Sequence, residues 1–384
     1  MISVVALLFA TFCPCGTTYP PGTLCPPGDT TQAPKKYSFT RPEMGSPFTI
    51  TIETTDSSAA SNAAAAAFHL ADSLNTILSD YIDSSEINRL SATSGQGRSV
   101  PVSPPLFDIL RRAQEAAVLT AGAYDITVGP VVRLWRKARK TGVPPTQTDI
   151  AQGLQNTGYH YLHLDSTSQT VLLEKRGMQL DVGGLGKGFV AAAALGLLRS
   201  RGYPVAMVNA GGKIVTGDAP AGRLNSAANT PTADQTRRPN PAATRPAAAG
   251  PGWIIGINAP GQKEQLLSLY LSLHNNSVAT SGDLYQYIEW QGKRYSHIID
   301  PRTGIGLTRR RNVTAIATDG TTADWLATAC SILSWRESLK LLKRIPNAAL
   351  LVTEIKRGKI IQKTSVNFKK YLLPDASASH RSPL

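Results

Sequence analysis

Residues 278–304 read VATSGDLYQYIEWQGKRYSHIIDPRTG. An apolar Val278-Ala279 leads into a polar Thr280-Ser281-Gly282-Asp283 turn, and the aromatic segment that follows breaks at Gln291-Gly292. The stretch closes on His297-Ile298-Ile299-Asp300-Pro301-Arg302-Thr303-Gly304. Two β-branched residues between a His and an Asp predict a buried strand. Pro301 ends that strand before a Thr303-Gly304 turn. Strands outnumber clear β-α-β alternation along the rest of the chain. This predicts an α+β fold, a largely antiparallel sheet with packed helices, rather than a doubly wound one. Strand ends that run into polar turns are places where a rigid scaffold carries chemistry.

Composition sets the limits. The 384 residues suffice for one large domain or two small ones, and 42% hydrophobic content supports a sizeable core. The formal charge is +14, but the basic residues are spread along the chain, with small clusters at 133–140 and 309–311. No nucleic-acid motif accompanies them, so no nucleic-acid partner is expected. They read as solvated basic faces, or as attraction to anionic lipid or a phosphate-rich ligand. Of four cysteines, Cys13, Cys15 and Cys25 crowd the N-terminus without the second half of a zinc site. Cys330 sits in an apolar stretch and reads as a buried small hydrophobe.

The apolar run at residues 2–12 is too short to span a bilayer but long enough for the core of an export signal. Cys13 or Cys15 would then be the lipidated cysteine of a membrane-anchored, exported domain, although Phe12 and Pro14 stand where a small residue is wanted. Residues 17–34 are rich in Pro, Thr and Gly and read as a tether. Residues 219–251 hold almost no large apolar side chain and read as a disordered insertion. The expected partition is a signal or lipoprotein segment at 1–16, a linker at 17–36, one domain at 37–373 and a disordered tail at 374–384.

Along that domain, Met44-Gly45 interrupts two alternating strands. A long helix over 57–81 follows, capped by Thr55, Asp56 or Ser57. Phe68, Leu70, Leu74, Ile77, Leu78 and Tyr81 form its core face, with His69 on its surface. Ser85-Glu86-Ile87-Asn88-Arg89-Leu90 starts a short helix, and 106–120 is a second amphipathic one. Gly122-Ala123-Tyr124-Asp125-Ile126-Thr127-Val128-Gly129-Pro130 sets two oxygen groups, Asp125 and Thr127, on one side of an extended chain. A strand over 178–182 runs into Asp181-Val182-Gly183-Gly184-Leu185-Gly186-Lys187-Gly188-Phe189, with a helix after it. Glycines at a strand-to-helix junction let backbone N–H groups approach an anion. This is neither a Walker A loop, since Asp181 and Gly188 break it, nor a Rossmann loop, since Phe189 does. Asn209-Ala210-Gly211-Gly212 is a strand ending in a tight turn. Asp324 and Thr328 share a helix face and offer hard oxygens suited to Mg2+. By themselves the pair reads better as a dipole-favoured acid and an ordinary helix residue.

In this order, from Met44-Gly45 through the Ser85 and Gly122 segments, the Asp181 loop, Asn209 to Gly212, Ser281 to Gly304 and the Asp324–Thr328 pair, the segments resemble the ApbE family of flavin transferases. The resemblance implies an ApbE-like, T-fold-related, two-lobed domain with flavin between the lobes. It implies FAD as substrate, bordered by Met44, Ala123, Tyr124, Asp125, Asp181, Lys187 and Ile299. It implies Mg2+ on the Gly184 carbonyl, Asp324 and Thr328. The reaction would place FMN on a Thr or Ser hydroxyl of an acceptor redox protein and release AMP. His297 would be the general base, its unperturbed pKa of ~6.5 suiting proton transfer at neutral pH.

A Mg-dependent FAD pyrophosphatase would use the same groups with water as acceptor. A non-catalytic flavin-binding lipoprotein would keep the aromatic and glycine elements but not need the metal pair or His297. Arg302 would ease phosphate charge or brace its turn. Ser281 and Asp283 would shape the site, with no His–Asp pair placed to make Ser281 a nucleophile. Lys213 stands where the family often has Asp. Residues 319–323 resemble an acceptor motif but depart from it at Asp324, which argues against self-modification.

Overall fold

The structure, a computed structural model, describes residues 33–221, 252–258, 266–282, 286–356 and 359–373. The expected signal and lipidation cysteines, most of the tether, the insertion from 222 onward, Asp283 and the tail lie outside the described residues.

An eight-stranded sheet organises the chain. Its strands run Lys35–Glu43, Ser46–Thr54, Ala206–Ala210, Lys213–Thr216, Ser277–Gly282, Arg311–Ala317, Ala349–Lys356 and Lys359–Thr364, and all neighbours are antiparallel. The helices are α1 (Ser57–Leu78), α2 (Glu86–Ser91), α3 (Pro104–Leu119), α4 (Gly129–Thr141), α5 (Gln147–Gln155), α6 (Gly186–Ser200), α7 (Gly320–Ile332) and α8 (Trp335–Leu342).

Strand alternation decides what each face meets. Ala279, Val313, Ala315, Leu350 and Val352 join the main core with α1, α3, α6 and α7. Their sequence neighbours Val278, Ile316, Ala349 and Leu351 point the other way. There they pack on the Trp253–Asn258 and Leu266–Leu273 hairpin and on Phe368. A smaller third core joins Val131, Trp135 and Ala138 of α4 to Ile288 and Ile299. It takes in Ile288 and packs against Tyr295 of the hairpin formed by Tyr287–Trp290 and Lys293–Ser296. No described helix is long and apolar enough to cross a membrane.

The structure departs from the sequence reading at several points. The first helix is capped by Asp56 but stops at Leu78, where Ser79 turns extended. Tyr81 is therefore not core: it is 71% exposed, its ring over the Arg136 guanidinium. Residues 280–282 are strand, not turn, paired with Asn312 to Thr314. Between His297 and Asp300 only Ile299–Asp300 is strand. The expected strand at 178–182 reduces to one bridge, Gln179 to Val128. Gly129-Pro130 starts α4 instead of a turn, because proline is preorganised for the first helical position. The first strand begins at Lys35, inside the stretch assigned to the linker.

Candidate active site

α6 and α7 cross backbone to backbone. A Cβ on Gly188 would stand 2.1 Å from the Gly320 carbonyl oxygen and 2.8 Å from Asp324 Cβ, so only glycine permits the approach. The approach brings the Gly188 N–H to Asp324 Oδ2, a 3.0 Å hydrogen bond. The anion met by this helix N-terminus is therefore a carboxylate of the protein itself. Asp324 is fully buried, and its other oxygen, Oδ1, accepts no hydrogen bond among the described residues. Burial pushes its pKa up, against the Lys213 charge, the Gly188 bond and the Lys187 charge.

One turn along α7, Thr328 Oγ1 lies 3.4 Å from the Gly184 oxygen, 3.2 Å from the Asp324 carbonyl oxygen and 3.1 Å from Ser281 Oγ. Ser281 reaches Thr328 because the pleat that buries Ala279 turns Ser281 to the same face. Gly184 is pressed between Tyr124 and Thr328: a Cβ there would lie 2.9 Å from Tyr124 Cε2. Among the described residues the buried Tyr124 hydroxyl has no hydrogen-bond partner. Burial, then the charges of Asp324, Asp181 and Asp125, raise its pKa, so it remains a neutral donor.

Lys187 opens α6, its pKa lowered by burial and by Lys213. Lys213 pairs with Ala279 and Ala210 and shares their helix-facing side of the sheet. Its ammonium donates to the Thr280 carbonyl at 2.7 Å and stands 3.7 Å from Asp324 Oδ1. Met44, at the tip of the first hairpin with φ 49°, brings Cε to 3.8 Å from the position of a Cβ on Gly186. The donor set of Asp324 Oδ1, Thr328 Oγ1 and the Gly184 carbonyl is all oxygen and contains a buried carboxylate oxygen with no hydrogen bond. That chemistry fits Mg2+. Among the described residues no three His, Cys, Asp or Glu side chains cluster as an alternative metal set.

His297 Nδ1 lies 3.1 Å from the Gln286 carbonyl oxygen. A carbonyl only accepts, so Nδ1 carries the proton and Nε2 is left as the acceptor. Burial and the Arg139, Lys213 and Lys187 charges pull its pKa down to about 4, outweighing the Gln286 bond that raises it. The expected unperturbed value does not hold.

Other sequence candidates are engaged elsewhere. Asp125 and Thr127 do not line an extended chain. The carboxylate caps its own turn, accepting from Thr127 N at 2.8 Å, Thr127 Oγ1 at 2.7 Å and Tyr159 N at 2.8 Å. The Ala123 side chain is wholly inside the main core, and Ile299 packs into the small core of α4. Asp181 accepts from Gly183 N at 2.7 Å and from Arg136 at 2.8 Å. Arg302 is bidentate on Asp300 and braces the turn. Arg136, which also pairs with Asp80, was hidden in a basic run read as solvated surface. The signal that could have found it is the helical start at Pro130, which puts Arg136 on the same face as Val132 and Arg133.

A buried oxygen-donor set flanked by two lysines, on an antiparallel α+β scaffold, has the chemistry that suits a cation and a phosphate-bearing ligand. The ApbE family model matches residues 44–352, and the chain belongs to that family. It is 32% identical over 297 residues to the FAD:protein FMN transferase of Treponema pallidum, covering 76% of each chain. It is 28% identical over 331 residues to a Klebsiella pneumoniae protein of the same name, covering 84% of this chain and 93% of that one. The solved ApbE protein of Thermotoga maritima superposes with a TM-score of 0.72 at 26% identity, over 88% of this chain and 99% of the other.

Proposed function

We infer that the chain is an FAD:protein FMN transferase, moving FMN from FAD to a Thr or Ser hydroxyl of an acceptor protein. Family membership supports the reaction class. The observation that carries the site is Asp324, a fully buried carboxylate with one oxygen free of hydrogen bonds, beside Thr328 Oγ1 and the Gly184 carbonyl. The acceptor oxygen attacks the FMN-side phosphorus, the bond from that phosphorus to the AMP oxygen breaks, and AMP leaves. Mg2+ on Asp324, Thr328 and Gly184 would neutralise charge on the pyrophosphate and the departing AMP.

The chain's own residues supply the rest. Lys187 gives a fixed positive charge at the α6 N-terminus. The Tyr124 hydroxyl offers a buried donor to the ligand, and Met44 closes the site from the first hairpin. His297 Nε2 takes the proton of the acceptor hydroxyl. Its low pKa keeps it unprotonated at neutral pH, and the anionic ligand raises its basicity when bound.

The acceptor is proposed to be a membrane redox protein with a Thr/Ser motif. Export and a lipid anchor at Cys13 or Cys15 rest on residues 2–15 of the sequence alone. The test is mass spectrometry of a Thr-containing acceptor peptide after incubation with protein, FAD and Mg2+. An added FMN mass, lost with EDTA, Asp324→Ala and His297→Ala, is the expected result. Release of FMN and AMP with the peptide unmodified would replace the transferase with a pyrophosphatase. Intact bound FAD would leave only a flavin-binding protein.

A further inference from the structure

We propose that the Lys213 ammonium is a tethered competitor for the divalent-cation site: it holds Asp324 in the metal-free protein and must be displaced before the metal enters. The proposal rests on the reading of Asp324 as a metal ligand.

Three features place Lys213 there. It begins its strand directly after the Gly211-Gly212 turn, and its pairing with Ala279 aims the side chain at the helix layer, towards α7. Its Nζ is anchored on the Thr280 carbonyl at 2.7 Å, one residue before Ser281, which itself contacts Thr328. Its charge stands 3.7 Å from Asp324 Oδ1, the carboxylate oxygen with no hydrogen bond.

A hard divalent cation sits ~2.1 Å from its oxygen ligands, so an ion on Oδ1 would meet the ammonium at close range unless the lysine moved. Lysine is a point charge on a flexible stem and can move. Lys187 adds a second positive charge to the same neighbourhood. An anionic pyrophosphate supplies the ammonium with a new partner, so ligand and metal bind cooperatively.

The test is Mn2+ binding to FAD-free protein, followed by electron paramagnetic resonance of the free ion. Removing the competing charge in Lys213→Gln is expected to tighten Mn2+ binding about tenfold or more, whereas Lys213→Arg stays as weak as the parent. The Lys213→Gln/Asp324→Asn double variant is expected to bind none. Equal affinity in parent and Lys213→Gln, or weaker binding in Lys213→Gln, overturns the proposal while Asp324-dependent binding leaves the metal site standing. Binding that persists in the double variant instead removes the metal-site reading, and the proposal with it. Thermal unfolding in EDTA and then in Mn2+ confirms that each variant folds. The rise in Tm on adding Mn2+ should be larger for Lys213→Gln than for the parent, and equal rises overturn the proposal.

Discussion

Asp125 and Asp324 are both buried acids whose pKa burial raises, yet they are built differently. Asp125 receives three hydrogen bonds, two from Thr127 and one from the Tyr159 backbone. Thr127 in turn accepts from Gly158 N, so one carboxylate ties two loops together. Among the described residues the Asp324 carboxylate accepts a single hydrogen bond, from Gly188 N, and it presents its second oxygen to Lys213 across 3.7 Å. A buried polar atom without a partner is costly, and folds tolerate few of them. The Asp125 carboxylate is satisfied within the protein, whereas that of Asp324 is left half-satisfied beside other oxygen donors.

The sharpest way to break this contrast is Asp324→Asn. Transfer activity should fall by about a thousandfold or more, as when a charge-stabilising group is removed from the transition state. Its Tm in EDTA should change little. A large loss of Tm with activity retained would make Asp324 architecture too. Asp125→Ala should show the opposite pattern. It strips the amides of Thr127 and Tyr159 of their acceptor, and denaturant unfolding should report a loss of about 3 kcal/mol. The protein that remains folded should keep its turnover.

A third test concerns His297, whose pKa falls to about 4 in the fold against ~6.5 in the unfolded chain. Between those values the unfolded state binds more protons. The histidine's share of stability is therefore complete above ~6.5 and is lost as pH falls through about 4. The acid limb of kcat/KM, which reports the free enzyme, should sit well below ~6.5. A limb centred at ~6.5 would refute the assigned environment. The smallest effect belongs to Arg302→Ala. Its pair with Asp300 is partly exposed, so the expected cost in unfolding free energy is about 0.5 kcal/mol, with activity within a factor of a few. A large activity loss would return Arg302 to the phosphate.

Much of this site was legible in the linear chain. The Asp324–Thr328 pair follows from helical spacing, and the α6 glycines announce a close approach. Cys330 and His69 took the burial their neighbours predict. The failures are equally physical. Tyr81 fits the helical period but comes after Ser79, whose extended backbone ends the helix. The bond from Tyr159 N to Asp125 is likewise invisible locally, because Tyr159 lies far along the chain and only folding brings it near. Ile299 is apolar, and nothing local tells which of the cores it enters.

The sequence by itself determined the antiparallel α+β class, most strands and helices, and where residue types suited to phosphate and metal chemistry stand along the chain. Periodicity, caps and glycine spacing are local properties, written in neighbouring residues. Only the tertiary structure decided which acid is satisfied and which is not, and that Lys213 faces Asp324. It also showed that the imidazole of His297 is held far below its ordinary pKa. Those facts depend on donors and charges delivered by other segments, and their strength is set by burial, which no short stretch of chain determines.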